Sequence, residues 1–291
     1  MGKTSITRLL FAVLTVSLPF TASAQQFLYA NNATFGAPYI FKMDASTMAV
    51  VDSYTGLSGI NGRGVVVVGS TMYYTTSNDK NVYTYNLTTR TNNGLLFTIP
   101  GSGGLATIAY DGTNLWIGDY SSNRAFLYTL TGTLIRTITL SNTTAGYDGL
   151  EYFVQNNQPR LIANRGDAVG PYDLYDTNGN LITAAFINVS GTPTGISYDG
   201  TNFFVSKFSS VEKYNGTTGA FISSTPVTGA PGGFSPLIED MSADYAVTLP
   251  GGGGAITGTG VPTLSEWGLI GLTGLLMAFG AWRVRASQTA A

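Results

Sequence analysis

The sequence predicts an all-β fold, a β-propeller of about five four-stranded blades, from two internal repeats. The segment ISYDGTNFF at Ile196–Phe204 restates IAYDGTNLW at Ile108–Trp116, about two blade lengths earlier. A hairpin pattern, in which a polar turn and an apolar run follow an aromatic residue, recurs every 39 to 47 residues or so, roughly one blade length. It starts at Phe41, Tyr85, Tyr128, Tyr175 and Tyr214. A lone blade cannot bury both faces of its sheet, so such units must stack around an axis.

The clearest unit, Ile108–Leu140, has the pattern of a small antiparallel meander. Asp111-Gly112 lies between two apolar runs, and Gly132 lies in a second turn of the same kind. Glycine favours such turns because it adopts positive φ without steric cost. The Asp-Gly pair is therefore interpreted as turn chemistry that needs no ligand to explain it.

Four segments each supply a complete or nearly complete blade, and they are Gly59–Pro100, Gly104–Leu140, Gly146–Phe186 and Thr192–Thr225. Phe27–Tyr54 supplies only three strands and lacks the innermost one. We expect Leu237–Thr248 to fill that place, which closes the ring without an open edge. In the main alternative the same segment belongs to an incomplete sixth blade. A β-sandwich is a further alternative, but a sandwich has no reason to restate YDGTN at two blade lengths.

Composition and charge exclude several kinds of site. The chain has 291 residues, 14 Lys and Arg against 16 Asp and Glu, a net charge of −2, no Cys and no His. This balance leaves no basic stripe for nucleic acid, and the lack of Cys removes disulfides and thiol chemistry. Without His there is neither a Ser-His-Asp triad nor a His-metal cluster. We expect no cofactor, no catalytic metal and no nucleic-acid partner.

The N-terminal residues 1–24 have the pattern of a secretory signal peptide. Lys3 lies in a positively charged start, and Leu9–Phe20 is an apolar run too short to span a bilayer comfortably. Ala22-Ser23-Ala24 is an A-x-A cleavage site. We therefore expect export across the inner membrane, with a mature propeller domain over residues 25–249.

The C-terminal residues predict a tether and a membrane segment. Residues 250–260 form a Gly-rich linker. Leu264–Trp282 follows, a mostly apolar stretch of about 19 residues that suffices to cross a bilayer as a transmembrane helix. Arg283 and Arg285 come directly after it, so the positive-inside rule places residues 286–291 in the cytoplasm. The propeller then lies on the outer side of that membrane.

The same stretch contains a compound signal: a Pro-Thr-Leu segment, a Trp-Gly pair, an apolar run and a basic end. Its residues are Val261, Pro262, Thr263, Leu264, Trp267, Gly268, Arg283 and Arg285. Residues 261–285 thereby resemble the IPTL-CTERM sorting domain of secreted Gram-negative proteins, with Val261 in place of the usual Ile. The resemblance implies a sorting tag, cut near Pro-Thr-Leu by an exosortase-like membrane enzyme. Such tags are typical of surface proteins in bacteria that make extracellular polysaccharide. The repeat region itself resembles secreted bacterial β-propellers.

Candidate ligand residues lie at the starts of the innermost strands, where a propeller has its channel mouth. They are Arg63, Asp148, Glu151, Glu239 and Asp240. Two or three of these carboxylates, together with carbonyl oxygens, could hold Ca²⁺ or act as an acid–base pair. In the structural alternative, Asp148 and Asp240 are turn residues and Arg63 pairs with Glu151 or Glu239 across the channel. By position only, aromatic candidates for sugar contacts are Tyr73, Tyr74, Trp116, Tyr120 and Phe208.

Two function classes follow from the sequence. The first is an exported, membrane-tethered and then sorted cell-surface or matrix protein, a non-enzymatic binding or scaffold module for polysaccharide or protein. The second is an extracellular hydrolase or lyase that uses carboxylates at the channel mouth, with calcium as an optional ligand. The lack of His and the small number of clustered acids favour the first class.

Overall fold

The computed structural model describes residues 26–33, 39–77, 79–231 and 236–244. These residues form β-strands and no α-helix, which confirms the all-β class. Within these ranges no helix is long and apolar enough to cross a membrane. The predicted signal peptide with its Ala22-Ser23-Ala24 site, the Gly-rich linker and the C-terminal apolar segment lie outside the described residues.

The strands form five four-stranded antiparallel sheets, the blades of a five-bladed β-propeller. From the innermost strand outward, blade 1 consists of β20 (Ile238–Ala243), β1 (Phe27–Asn32), β2 (Tyr39–Asp44) and β3 (Val50–Tyr54). Blade 2 consists of β4 (Gly62–Val68), β5 (Thr71–Thr76), β6 (Asn81–Asn86) and β7 (Thr91–Thr98). Blade 3 consists of β8 (Leu105–Tyr110), β9 (Asn114–Asp119), β10 (Arg124–Thr129) and β11 (Leu134–Thr139). Blade 4 consists of β12 (Leu150–Gln155), β13 (Gln158–Gly166), β14 (Val169–Tyr175) and β15 (Leu181–Ile187). Blade 5 consists of β16 (Ile196–Tyr198), β17 (Asn202–Lys207), β18 (Ser210–Asn215) and β19 (Phe221–Pro226).

The ring is closed at the axis by the C-terminal strand. β20 pairs antiparallel with β1, from Leu28 opposite Ala243 to Asn32 opposite Ile238, and so supplies the innermost strand that the first blade lacks. The predicted closure by Leu237–Thr248 is confirmed over the described part of that segment. The six-blade and sandwich alternatives are wrong. All residues of β20 are buried, so closure removes a whole strand from water.

A second contact closes the ring at its circumference. Thr228, just after β19, forms a parallel bridge with Ala49. The Val50 amide donates to the Thr228 carbonyl at 2.8 Å, and the Thr228 amide donates to the Met48 carbonyl at 3.2 Å. Blades 5 and 1 are therefore joined at two radii.

The apolar core lies between neighbouring blades, in five clusters. Each cluster contains one of the aromatic residues that mark the hairpin repeat, namely Phe41, Tyr85, Tyr128, Tyr175 and Tyr214. The aromatic residue recurs once per blade because it takes the same buried place on the third strand, where it packs with other large side chains in the gap between two sheets.

Each outermost strand has a β-bulge near its start, where the pairing register shifts after the hairpin turn. Exposed apolar side chains accompany these bulges, for example Leu134 and Ile135 in blade 3. A bulge bends and twists an edge strand, which hinders pairing with another chain. We therefore interpret the outer edges as protected edges and not as binding surfaces.

Candidate functional site

The innermost strands β20, β4, β8, β12 and β16 surround the propeller axis and run in the same direction. Their registers align, because equivalent positions of the second strands pair with Met241, Val65, Ile108, Leu150 and Ile196. We define the end where these strands begin as the upper mouth and the opposite end as the lower mouth. Two residues before the aligned positions, the upper mouth has Glu239, Arg63, Ala106, Asp148 and Thr194.

Arg63 and Glu239 form an ion pair at the upper mouth, with 2.5 Å between Nη1 and Oε2. The Arg63 guanidinium also lies 5.4 Å from the ring centre of Tyr120, whose hydroxyl donates to Asp167 at 3.0 Å. Burial raises the pKa of Glu239, the Arg63 charge lowers it, and Asp167 raises it. Of the two partners predicted for Arg63 in the structural alternative, the structure selects Glu239 and not Glu151.

Asp148 lies in the loop before β12 and holds the turn between β13 and β14. Its carboxylate accepts hydrogen bonds from Asn164 Nδ2 at 2.5 Å and from the Ala168 amide at 3.0 Å. The Asn164 side-chain carbonyl accepts from the amides of Asp148 and Gly149, at 3.1 and 3.0 Å. Burial raises the pKa of Asp148 well above its usual range. These contacts agree with a structural role for this carboxyl group.

Asp240 lies within β20 and is not the turn residue of the structural alternative. Its Oδ2 accepts from Thr107 Oγ1 at 2.9 Å, from the Ile108 amide at 3.2 Å and from the Val65 amide at 3.4 Å. A Cβ atom at Gly195 would collide with the Asp240 backbone, so β16 also approaches closely. The carboxyl group is thus enclosed between three other innermost strands and closes the axis at this level. Burial raises its pKa well above the usual range.

Glu151 points away from the upper mouth. It follows the aligned position of β12, and its two carboxylate oxygens accept from the Tyr152 amide at 2.8 Å and from the Tyr198 amide at 3.2 Å. Tyr198 is the last residue of β16, towards the lower mouth. The five candidates therefore separate: Arg63, Glu239 and Asp148 lie at the upper mouth, Asp240 lies beneath it, and Glu151 lies farther along the axis.

Sequence reasoning missed a set of polar side chains that cap the innermost strands. Thr75 Oγ1 accepts from the Gly64 amide at 2.8 Å, and Ser206 Oγ accepts from the Gly195 amide at 2.9 Å. Asn164 does the same for Gly149 in blade 4. A signal was present, since Arg-Gly-Val, Asp-Gly-Leu and Thr-Gly-Ile recur at the starts of β4, β12 and β16. A Cβ atom at Gly64 would collide with the capping Thr75 hydroxyl, whereas at Gly149 and Gly195 it would collide with the next innermost strand or its approach, at Thr194 and Asp240 respectively.

The described residues offer little for metal chemistry. Among them no group of three or more Asp, Glu, His or Cys residues is arranged to hold a metal ion. The calcium alternative thus gains no ligand set from this part of the chain. The upper mouth offers three polar groups to a ligand. They are the Arg63–Glu239 ion pair, the Tyr120 phenol and the exposed Asp167 carboxylate.

The stability of the propeller should rise as the pH falls from neutral to about 4–5. Burial raises the pKa values of Asp148, Asp240 and Glu239, so these groups bind protons on folding. Their contribution is complete below the unfolded pKa and is lost as the pH rises through the folded pKa. Asp119 and Asp173 behave in the opposite way. Burial raises their pKa values, but hydrogen bonds from neighbouring donors outweigh burial and lower them, so the stability that these two groups contribute is lost only at lower pH.

Guanidinium denaturation of the full chain in detergent, at a series of pH values, measures this dependence. The variant Asp240→Asn keeps an acceptor at the axis but cannot titrate, so its stability should change less between pH 5 and 8. A wild-type stability that decreases on acidification from pH 7 to 5 would contradict the assignment of raised pKa values to these buried groups.

Comparison with known protein families identifies a sequence motif at the C-terminal end. Residues 259–286 match the model of the IPTL-CTERM motif, and this span includes every predicted sorting residue from Val261 to Arg285. The chain carries an IPTL-CTERM motif. The resemblance stated from the sequence is confirmed, and the motif indicates an exported protein that a sorting enzyme processes for the cell surface.

Comparison of the chain with known proteins found distant structural similarities. No curated protein matches the chain. A solved structure from a nidogen/laminin complex is similar, with a TM-score of 0.47 and 12% identity, covering 77% of this chain and 99% of that chain. A protein of unknown function from Bacteroides caccae is similar with a TM-score of 0.47 and 10% identity, covering 76% of this chain and 99% of that chain.

Proposed function

We propose that this chain is an exported cell-surface or matrix protein whose propeller is a non-enzymatic binding or scaffold module. The engagement of the acids around the axis supports this proposal. Glu239 is paired with Arg63, Asp148 holds a turn of its own blade, and Asp240 is enclosed by other innermost strands. General acid–base catalysis needs carboxyl groups that reach a substrate. Carboxyl groups that bond to the protein itself instead stabilise the ring, and the loops of a rigid ring are then available to contact a ligand.

The second candidate is an extracellular hydrolase or lyase that uses carboxylates at the upper mouth, with or without calcium. One observation favours it: burial raises the pKa of Glu239, as a general acid requires, and Asp167 raises it further. The Glu239 carboxylate, however, already forms an ion pair with the Arg63 guanidinium, with 2.5 Å between Oε2 and Nη1. A catalytic role would need this ion pair to open, so we place binding first.

The proposed route to the surface uses the C-terminal end as a separate module. Leu264–Trp282 holds the precursor in the inner membrane, and the arginines that follow keep the last residues inside. An exosortase-like enzyme processes the chain near the Pro-Thr-Leu segment. The propeller is then released or passed to the surface, where it binds extracellular polysaccharide or protein.

Deleting Val261–Ala291 should leave a propeller that melts like the full chain and fractionates as a soluble periplasmic or secreted protein. The reason is that the ring is already closed by β20, which ends at Ala243, well before the deletion. An apolar stretch of about 19 residues cannot stay in water and has no amphipathic stripe with which to dock on a sheet. Cell fractionation and thermal melting measure the two outcomes.

A chain in which a Gly-Ser segment of equal length replaces Leu264–Trp282 is the matched control, and it should behave like the deletion. A deleted chain that misfolds would place the tail in the propeller core. A deleted chain that stays in the membrane would place the anchor elsewhere, and the tether proposal would then be wrong.

A further inference from the structure

The chain enters and leaves the propeller at its lower end. All innermost strands start at the upper mouth, so β20 ends at the lower one, where Ala243 lies opposite Leu28 near the start of β1. Asp244, the last described residue, forms a parallel bridge with Val67, near the lower end of β4. The segments before Phe27 and after Asp244 therefore both leave from the lower end.

A tether at the lower end turns the upper mouth outward. Residues 250–260 form the Gly-rich linker before the sorting motif, and a flexible chain of that length is expected to span roughly 17–20 Å. While the apolar segment is held in the membrane, this point of attachment keeps the lower end on average nearer to the bilayer than the upper mouth. This step rests on the proposed function, because it takes the membrane-held precursor as its starting point.

Exposed aliphatic side chains surround the upper mouth. Ile60 and Leu237 lie just before β4 and β20 and are 50% and 43% exposed. Val169, at the start of β14, is 52% exposed and lies beside the turn that Asp148 holds. Tyr120 and Arg63 lie at the same mouth, and Tyr and Arg are residue types enriched at protein–protein interfaces.

The charge of the upper mouth is negative. Glu239 cancels the charge of Arg63, whereas Asp167 is exposed and has the Tyr120 hydroxyl as a donor. Burial raises the pKa values of Glu239, Asp148 and Tyr120, and Asp167 raises all three further, whereas the Arg63 charge lowers those of Glu239 and Tyr120. Farther from the axis, three cations are each engaged within their own blade, in the pairs Arg124 with Asp119, Arg165 with Asp173 and Lys207 with Glu212. The exposed Lys80 follows Asp79 in the turn before β6, so these two charges balance each other.

We propose that the upper mouth is a docking site for a segment of another protein, one in which apolar residues flank a cationic residue. The apolar residues pack on Ile60, Val169 and Leu237, and the cation lies against Asp167. The complementary charge speeds association and selects against acidic segments. The Arg63 guanidinium lies 5.4 Å from the ring centre of Tyr120 and takes one face on which a sugar ring would stack, which favours a peptide over a glycan here.

Selection of phage-displayed random peptides on the full chain in detergent micelles tests this docking site. The selected peptides should be enriched in Lys or Arg next to Leu, Ile, Val or aromatic residues. Synthetic copies should bind roughly five- to tenfold more weakly to Ile60→Ser and to Asp167→Asn. They should also bind more weakly at high salt. The matched control is Ile135→Ser on an outer edge, where the side chain is 49% exposed, and its affinity should not change.

Three results overturn the docking site: no selected peptide, peptides without a basic and apolar bias, or equal binding to Ile60→Ser and Asp167→Asn. An oligosaccharide panel is tested in parallel, and glycan binding that these two substitutions weaken would assign the mouth to a glycan instead. Peptides that bind at another surface leave the proposed binding function intact and remove only this inference. If neither peptides nor glycans bind, the result counts against the docking site and against the proposed binding function.

The orientation is tested separately with single cysteines, since the chain has none of its own. Ser190→Cys lies at the upper end and Thr217→Cys at the lower end, and both positions are exposed. With spin labels attached and the full chain in lipid nanodiscs, the label at residue 217 should be nearer to the lipid headgroups. The reverse order would overturn the outward orientation of the upper mouth.

Discussion

A chain that ends after Pro236 should fail to form the folded propeller, whereas a chain that ends after Leu249 should fold normally. The shorter chain lacks β20, all of whose residues are buried, and leaves the inner edge of β1 unpaired. Burial of one Ile or Met side chain contributes roughly 1.5–3 kcal/mol, while a domain is stable by only roughly 5–15 kcal/mol. Losing Ile238, Met241 and a full set of strand hydrogen bonds is therefore comparable to the entire stability.

Far-UV circular dichroism and thermal melting of the two truncated chains measure this effect. The longer chain should show a cooperative transition, and the shorter chain should show none. A synthetic peptide of residues 237–249 should restore the transition to the shorter chain, which separates loss of the strand from loss of chain length. A cooperative transition at the same temperature in both chains, without peptide, would show that ring closure does not depend on β20.

Asp240→Ala should destabilise the propeller by roughly 3–5 kcal/mol, and Asp240→Asn by much less. Alanine removes the acceptor of the Thr107 hydroxyl and of the Val65 and Ile108 amides, which stay buried. Each buried donor left without a partner costs roughly 1–3 kcal/mol. Asparagine keeps a carbonyl oxygen for these donors and removes a carboxyl group whose pKa burial already raises well above its usual range.

Guanidinium denaturation at pH 7 compares these variants with the unmodified chain. Asp167→Ala is the control, an exposed carboxylate at the upper mouth, and it should change the stability by no more than about 0.5 kcal/mol. Equal stability of Asp240→Ala and Asp240→Asn would mean that the hydrogen bonds to Oδ2 contribute nothing to the fold.

The blade pattern was predictable because its causes are local and periodic. An aromatic residue at the same place on the third strand packs into each gap between blades, so Phe41, Tyr85, Tyr128, Tyr175 and Tyr214 mark the period directly. Asp111-Gly112 marked a turn for an equally local reason, since Gly112 has a φ of 95°. Ring closure was predictable from the number of strands, because the first blade lacked one strand and one strand remained near the C-terminal end of the repeats.

The axial residues were harder to predict, because position near the start of a strand does not say where a side chain points. Asp240 was grouped with Glu239 by sequence, yet successive strand residues point to opposite faces and so meet different partners. Glu239 pairs with Arg63, whereas Asp240 accepts hydrogen bonds from β4 and β8. Glu151 was grouped with Asp148, but it lies one residue past the aligned position and caps amides towards the lower end. The contact of Tyr120 with Asp167 joins two blades and has no local signal.

The residue pattern alone predicts a repeating β-propeller with a C-terminal sorting motif. Both properties depend on residue types at short or regular spacings, so they can be recognised without knowing which distant residues are in contact. Only the tertiary structure decided which polar groups meet on the axis. Asp240 reaches Thr107 across 133 residues and Val65 across 175 residues of sequence. Such contacts arise because ring closure brings the last strand against the innermost strands of other blades, and no local pattern specifies which partner lies there.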